Sequence, residues 1–408
     1  MLIDKLLDYV KYDTTSHEDS ETFPSTKKQF ELAKHLKDEL EKLGLEQVQL
    51  DEYCYVYGYL PGDPNYLTIG LNAHMDTSEA ASGKNCNPRI IENYDGEDIK
   101  LSDTVTTSID RFPNLKKFKG KTLVVTDGNT LLGADDKAGI AVIMETLETL
   151  VNNPNIKHGP IWVCFSPDEE VGRGTKHFNY DLFKVDFAYT LDGDRPENVE
   201  FENFNAASAL VKVNGVSVHP GSAKNKMINA ATVAMEFHSL LDPDAVPEKT
   251  EGYEGFNHLV GMKGECQTAE LQYIIRNHDI NLLQKQKHDF ELARDAMNEK
   301  YGFEVIDLKL VDAYRNMREK FEGNMKPIEI VQEAMKNLDM KFNAVAIRGG
   351  TDGADLTWHG ILCPNLGNGG DNYHGIHEVW CKEDGEKAVK LLLEVLKLAI
   401  KLKWIKLN

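Results

Sequence analysis

Five short stretches of the 408-residue chain concentrate carboxylates and histidines: "AHMDT" (73–77), "GADDKAG" (133–139), "DEEVG" (168–172), "LDGD" (191–194) and "NYHGIHE" (372–378). Asp135 and Asp136 are adjacent, and neighbouring carboxylates raise each other's cost of ionisation unless a cation is close. One of the pair can face a site while the other turns toward Lys137 or a backbone donor. A carboxylate has two oxygens and can bridge two divalent ions about 3.5–4 Å apart, which makes Asp135 the natural centre of a two-metal site. His74 and Asp76 are two residues apart, so in an extended chain they point the same way. The imidazole can then ligate through one nitrogen while a carboxylate accepts from the other and fixes the ring. The bland alternative is a surface histidine beside a solvated aspartate.

Glu169 and Glu170 diverge, so one can face a metal and the other can act as general base, taking a proton from water and handing it to a leaving amine. An acidic helix N-terminus is the competing reading. "LDGD" offers a further acid, and His374 and His377 offer imidazoles. The six cysteines are scattered without a C-x-x-C pair, so neither a disulfide framework nor a thiolate zinc site is signalled. Oxygen and imidazole donors without thiolate suit zinc, manganese or cobalt.

Such residues need a scaffold that brings distant segments together. "YLTIGLNAH" (66–74), "IWVCFS" (161–166) and "FAYTL" (187–191) are short β-rich apolar runs of the kind found in sheets covered on both faces. Each is followed at once by acidic or histidine residues, and in open α/β sheets the carboxyl edge is where sites form. Residues 25–44 carry Phe30, Ala33, Leu36, Leu40 and Leu43 at helical spacing, with a serine at the start and Gly44 at the stop. The fold class expected is α/β, a mainly parallel sheet flanked by helices. Between 207 and 312 the order becomes strand, helix at 223–241, strand near 256–263, strand "ELQYIIR", helix at 279–299 and strand "FEVIDLKLV". That is a complete ferredoxin-like βαββαβ unit, expected as an insertion. The first domain, 1–206 and 313–408, is then discontinuous, resuming with a helix at 326–338, strands "AVAIR" and "ILCPNL" and a long helix from about 384. Residues 77–120 are polar and poorly periodic, and predict a long functional loop.

Composition bounds the function. A formal charge of -20 argues against nucleic acid as a partner, and 41% apolar with 9% aromatic residues predicts a folded core. No apolar run approaches the roughly 18 residues needed to cross a bilayer, and "MLIDKLLDYVKYD" is charged throughout, unlike a signal peptide. A cytoplasmic protein without a membrane partner is expected. A glycine-rich anion cradle in "RGGTDGAD" or "GADDKAG" is disfavoured, because both are crowded with acids and neither has P-loop spacing.

The ordered set "AHMDT", "GADDKAG", "DEEVG", "LDGD", "HPG" and "HGIHE" resembles the di-zinc metallopeptidase family that contains carboxypeptidase G, succinyl-diaminopimelate desuccinylase and the aminoacylases. "SGKN", "NPRIIENYDG", "TLLGADDKAG" and "RGGTDGADL" narrow the likeness. The resemblance implies a zinc-exopeptidase-like catalytic domain with a lid domain inserted at 207–312, through which two copies would pair. It implies two divalent ions per subunit, zinc first, with cobalt or manganese as other fits. His74 and Asp192 would hold one ion, Glu170 and His374 the other, and Asp135 would bridge them. Asp76 would orient His74, and Glu169 would be the base. His374 is preferred to His377 because the family's last ligand stands four residues before a glutamate, here Glu378. His219, in "VSVHPG", would stabilise the oxyanion of a tetrahedral intermediate, against the alternative of a histidine in a β-edge turn. Arg276 and Arg348 are candidates to grip a peptide's terminal carboxylate, a task suited to a planar fork, or else are structural ion pairs. The activity implied is release of the N-terminal residue from short peptides, tripeptides above all. A dipeptidase, carboxypeptidase or N-acyl amino acid amidohydrolase on the same metals is the rival. After "MDTS" the chain has Glu79, Ala80 and Ala81 where the family pattern has an acid and an aromatic, which leaves open the residue that meets a free amine.

Overall fold

In the computed structural model, which describes residues 1–400, the three apolar runs form neighbouring strands at Ile69–His74, Ile161–Ser166 and Phe187–Gly193. Ile69–His74 lies between the other two and is parallel to both. Every residue of Ile69–His74 and Ile161–Ser166 is buried, which is why neither shows an apolar/polar alternation. The full sheet runs Glu46–Leu50, Val56–Leu60, Ile161–Ser166, Ile69–His74, Phe187–Gly193, Asn365–Gly367, Asn198–Asn203, Asn343–Ile347. Its middle four strands are parallel, and antiparallel pairing begins at Val56–Leu60 on one side and Asn198–Asn203 on the other.

One face of this sheet packs Tyr57, Trp162, Cys164 and Ala188 against Phe178, Phe183 and Leu356. Helix Ala134–Asn152 packs on strands Ile69–His74 and Phe187–Gly193, with helices Leu2–Tyr9 and Lys382–Ala399 against it. Burying each large apolar side chain contributes about 1.5–3 kcal/mol, so these layers fix where the strands end.

Several elements differ from the sequence expectation, among them the strand expected at "ILCPNL", which is confined to Asn365–Gly367, and the glycine-rich stretch before it, which carries the helix Asp352–Trp358. The helix expected at 25–44 is Gln29–Lys42, because Ser25 does not cap it and instead bonds to Asp168. The helix expected at 223–241 is Ala230–Ser239, started by Asn229, whose side chain accepts from Ala231 N–H. Within 77–120, strand Arg89–Ile91 pairs with Leu123–Val125, which pairs with Val379–Cys381. Tyr94, Ile99, Leu101, Leu115 and Phe118 form a small core there. Strands of two or three residues are too short to print a period in the sequence.

The chain divides into two compact units. The first comprises Met1–Phe201, Lys320–Val345 and the chain from Thr351 on; the second comprises Glu202–Glu319 and Ala346–Gly350. The second unit is a four-stranded antiparallel sheet in the order Phe256–Gly264, Thr268–Asn277, Asn205–Asn214, Ile306–Asp312. Helices Ala230–Ser239 and Ile280–Tyr301 pack on it through Phe237, Phe290, Leu271 and Tyr273. Its limits lie outside the expected 207 and 312 because side-chain amides tie both connecting segments to it. Asn203 Oδ1 accepts from Met317 N–H, Asn205 Oδ1 accepts from Asn316 N–H, and Arg348 donates to the carbonyls of Gly252 and Glu254. No helix among the described residues is long and apolar enough to cross a membrane.

Candidate metal centre

His74 ends the strand Ile69–His74, Asp192 lies near the end of Phe187–Gly193, and Asp135 opens the helix Ala134–Asn152. Glu170 sits in the turn after Ile161–Ser166, and His374 lies in the connection between the paired strands Gly370–Asp371 and Val379–Cys381. All five belong to the first unit and meet in one place. His74 Nε2 is 2.9 Å from Asp135 Oδ1 and 3.5 Å from Asp192 Oδ1. His374 Nε2 is 3.0 Å from Asp135 Oδ2 and 3.0 Å from Glu170 Oε2. Two donor sets result, His74 with Asp135 and Asp192, and Asp135 with Glu170 and His374, each with its ligand atoms within 4.8 Å of one another. Asp135 is common to both and turns a different oxygen to each. No cysteine takes part in either set.

The turn that aims Asp135 is held from behind. Asp136 faces inward, where it accepts from the backbone N–H of His74 (3.2 Å) and Gly139 (3.2 Å) and from Asn368 Nδ2 (2.9 Å). A side chain at Gly139 would put its Cβ 2.3 Å from Asp136 Oδ1, so only glycine lets the carboxylate lie there. Of the two partners open to Asp136, the backbone wins; Lys137 Nζ donates instead to the Tyr12 carbonyl at 2.7 Å. Glu378, buried, accepts from the N–H groups of Leu132, Gly133 and Asp135 at 2.8, 2.8 and 3.0 Å. One carboxylate thus joins the His374 segment to the Asp135 turn.

Asp76 is fully buried and does two jobs. His74 Nδ1 meets its backbone oxygen at 3.0 Å and its carboxylate at 3.4 Å. The carboxylate also accepts from the N–H groups of Glu169 (2.9 Å) and Glu170 (3.2 Å). Behind the same turn, buried Asp352 accepts from Ser166 Oγ at 2.6 Å. His377 stands apart from both donor sets. Its Nδ1 pairs with Thr107 Oγ1 at 2.8 Å and its ring lies 4.9 Å from that of Phe112. Asp194 is spent on a turn, accepting from Arg195 N–H and Asn198 Nδ2.

Asp76, Asp135, Asp136, Glu169, Glu170 and Asp192 crowd a largely buried space, and the electrostatics register it. Burial, then Asp135, pushes the Glu170 carboxyl up to about 7 against the pull of His374. Burial raises Glu169 well above the usual range, with Asp192 and Asp352 adding to it and His74 opposing. Asp135 and Glu170 push His374 up to about 11. Burial acts to raise Asp135, yet His374 and His74 hold it below the carboxylate range. Both imidazoles are thus drawn toward carrying a charge that offsets the acids. Divalent cations would supply that charge and displace those protons, since a ligating histidine must be neutral. Glu170 Oε1, buried and without a hydrogen-bond partner, fits a donor set built for such ions.

The remaining candidates lie in the second unit. His219 is exposed, its Nδ1 accepting from Gly221 N–H at 3.1 Å in the turn Pro220–Ser222. Arg276 donates through one Nη to the carbonyls of Ala207 and Ile275 and lies over the Tyr314 ring at 5.1 Å. Arg348 commits both Nη groups to the 250–254 loop and stacks 5.1 Å over Phe204. Glu79 pairs with His17 Nδ1 at 2.7 Å in the first unit.

A parallel sheet whose carboxyl edge presents two imidazole–carboxylate sets sharing one aspartate is the architecture of a two-metal hydrolase. The chain belongs to peptidase family M20/M25/M40, whose model matches residues 103–398. Peptidase T of Clostridium perfringens is 48% identical over 397 residues, covering 97% of this chain and 98% of that protein. Peptidase T of Alkaliphilus oremlandii is 47% identical over 403 residues with the same coverage. The fold is shared with a tripeptidase from Staphylococcus aureus (TM-score 0.78, 21% identity) and with aminopeptidase PepT from Bacillus cereus (0.77, 20%), each over 98% of both chains. A dinuclear metal-binding M20 peptidase from Bacillus subtilis follows at 0.65 and 15%, over 98% of this chain and 97% of that one.

Proposed function

We propose that the chain is a two-metal aminopeptidase that releases the N-terminal residue of short peptides, tripeptides above all. The observation that carries this is the division of the Asp135 carboxylate, one oxygen toward His74 and the other toward His374, each 3.0 Å or less away. Near-full-length identity of 48% to a peptidase T supports the substrate class. His74 and Asp192 would hold one ion, Glu170 and His374 the second, with Asp135 between. Zinc suits this nitrogen and oxygen set best, with cobalt or manganese as alternatives. Ions there would polarise a carbonyl and bring the pKa of a water toward ~7.

Glu169 is the base. Its backbone N–H is pinned to Asp76, and its carboxyl, raised by burial, is suited to take a proton from the attacking water and return it to the departing amine. His219 is assigned the developing oxyanion, a role worth roughly 3–4 kcal/mol of barrier for one good donor. Of the two arginines offered for the terminal carboxylate, Arg276 keeps more of its fork uncommitted than Arg348. The second unit is assigned the roles of lid and pairing surface, and the cytoplasm the location.

A peptide-length series on zinc-loaded protein, with products identified by mass, tests the reading. Ala-Ala-Ala should yield alanine and Ala-Ala, N-acetylation should abolish turnover, and Arg276→Ala should raise KM about tenfold, as expected for one lost charged hydrogen bond. Undiminished cleavage of the acetylated peptide would transfer the chain to the acylase reading.

A further inference from the structure

Residues 12–29 are not part of either donor set, yet they reach three of the segments that carry one, those of His74, Asp135 and Glu170. The Tyr12 carbonyl receives Lys137 Nζ at 2.7 Å, two residues beyond Asp135. Thr14 O accepts from Thr77 N–H, and Thr77 O accepts from Ser16 N–H, at 3.3 and 3.1 Å, in the residue after Asp76. Arg173 donates to the carbonyls of Ser20 and His17 at 2.9 and 3.4 Å. The tightest contact is at Asp168, immediately before Glu169. Its Oδ2 accepts from Ser25 N–H at 2.6 Å; its Oδ1 accepts from Ser25 Oγ at 2.5 Å and Gln29 Nε2 at 2.7 Å. Asp168 and Gln29 are wholly buried and Ser25 nearly so.

This is more than packing, because of what the turn must do. Asp168 has φ 58°, a left-handed conformation that a non-glycine residue holds only when its surroundings over-determine it. Gly172, at the other end of the turn, is also left-handed at φ 66°. Between them, Glu169 and Glu170 are tied to Asp76 by backbone only, which fixes their Cα positions from one side. The second fixed point is the Asp168 carboxylate. We propose that Asp168 is the positioning residue of Glu169, and that it acts through Ser25 and Gln29, so that the segment 12–29 is a clamp on the proton-transfer turn. This rests on the reading of Glu169 as the base.

Asp168→Asn is close to isosteric, but one way round its amide meets the Ser25 N–H and the other way Gln29 Nε2, donor against donor, unless Gln29 also flips and gives up the bond its Oε1 accepts from the backbone N–H of residue 168. A displacement of about 1 Å at a reacting group is enough to cost ~10²-fold in rate. On the full-length zinc-loaded protein, Asp168→Asn should lower kcat 30- to 100-fold, leave KM within about threefold and retain the wild-type metal content. The Glu169 and Glu170 amides, followed by hydrogen exchange of the peptide spanning the turn, should exchange at least tenfold faster. Ser25→Ala and Gln29→Met, milder and available should Asp168→Asn fail to fold, should each lower kcat several-fold with KM unchanged. Ser25→Ala should add nothing further in the Asp168→Asn background. Normal kcat in Asp168→Asn, a loss confined to KM, or full additivity with Ser25→Ala would overturn the clamp while Glu169→Gln, if inactive, leaves the base in place. Turnover by Glu169→Gln would overturn the base itself, and the clamp with it.

Discussion

The two units treat their candidate residues differently. In the first, three of the five ligand candidates have further groups that hold them: Asp136 and Glu378 hold the Asp135 turn, Asp76 holds His74 and the glutamate turn, and Asp168 anchors that turn to residues 25 and 29. In the second, His219 is exposed and restrained by one bond from Gly221 N–H, while Arg348 is restrained so fully that little of its fork is left to offer. A metal centre needs donors placed before the ions arrive, because like charges must be held together against repulsion. An oxyanion donor has no like-charged neighbour to be held against. The contrast therefore predicts that losing a donor in the first unit costs bound metal, and that losing a candidate in the second leaves the metal in place.

The largest effect tests the shared aspartate. Asp135→Asn should lower kcat/KM by more than about 10³-fold and reduce bound metal from two ions per chain to one or none, as read by elemental analysis, since one oxygen of the bridge is lost. Chelation of the wild-type protein should abolish turnover, and added zinc should restore it. Two ions retained with near-normal activity would dissolve the distinction drawn above. Next comes His219→Ala, for which kcat should fall about 10²- to 10³-fold with metal content unchanged, the range for one oxyanion donor. A fall in metal content there would mean that the second unit does help to build the centre.

Glu378→Gln sharpens the comparison from inside the first unit. Glu378 would never touch an ion or a substrate, yet its two oxygens accept three backbone N–H groups of the Asp135 turn. The amide keeps one of those oxygens and sets a donor against donors at the other. Metal affinity, measured by competition with a chromophoric chelator, should weaken about 10- to 100-fold, as for outer partners of metal ligands generally, and activity should return at high zinc. Failure of zinc to restore activity would give Glu378 a part in the chemistry.

What the sequence revealed follows the same division between donors and supports. His74 and Asp76 were legible because i and i+2 at a strand end share a side, and Asp135 because two adjacent acids demand a cation. The alternation of strand and helix, and the βαββαβ order of residues 207–312, were legible because elements of five or more residues print a period. The supports that arrive from far along the chain were not. Asp168 finds Ser25 across 143 residues, Glu378 finds Leu132 across 246, and Asn368 finds Asp136 across 232. No local pattern encodes such a pairing. Asp168 was read only as the flank of a glutamate pair, and Glu378 only as a spacing marker. The one available signal for Asp352 was an acid in a glycine-rich stretch, "RGGTDGADL", that no phosphate cradle would tolerate.

The smallest predicted effect is the one on which sequence spacing alone was least able to decide. His374 and His377 are three residues apart in "HGIHE", and either could have supplied the last ligand. The chain turns sharply at His374, which sits at φ 62° and points its Nε2 at both Asp135 and Glu170. His377 is spent on Thr107 and Phe112, in the small core of the 77–120 segment, where burial and then Arg111 lower its pKa and keep it neutral. His377→Ala should therefore leave two bound ions and keep kcat/KM within about threefold. Its cost should appear as about 1 kcal/mol of stability, from one hydrogen bond and one partly buried ring. His374→Ala, measured beside it, should lose an ion. If the two variants behaved alike, the choice between them made by the turn at His374 would be wrong, and with it the assignment of the second donor set.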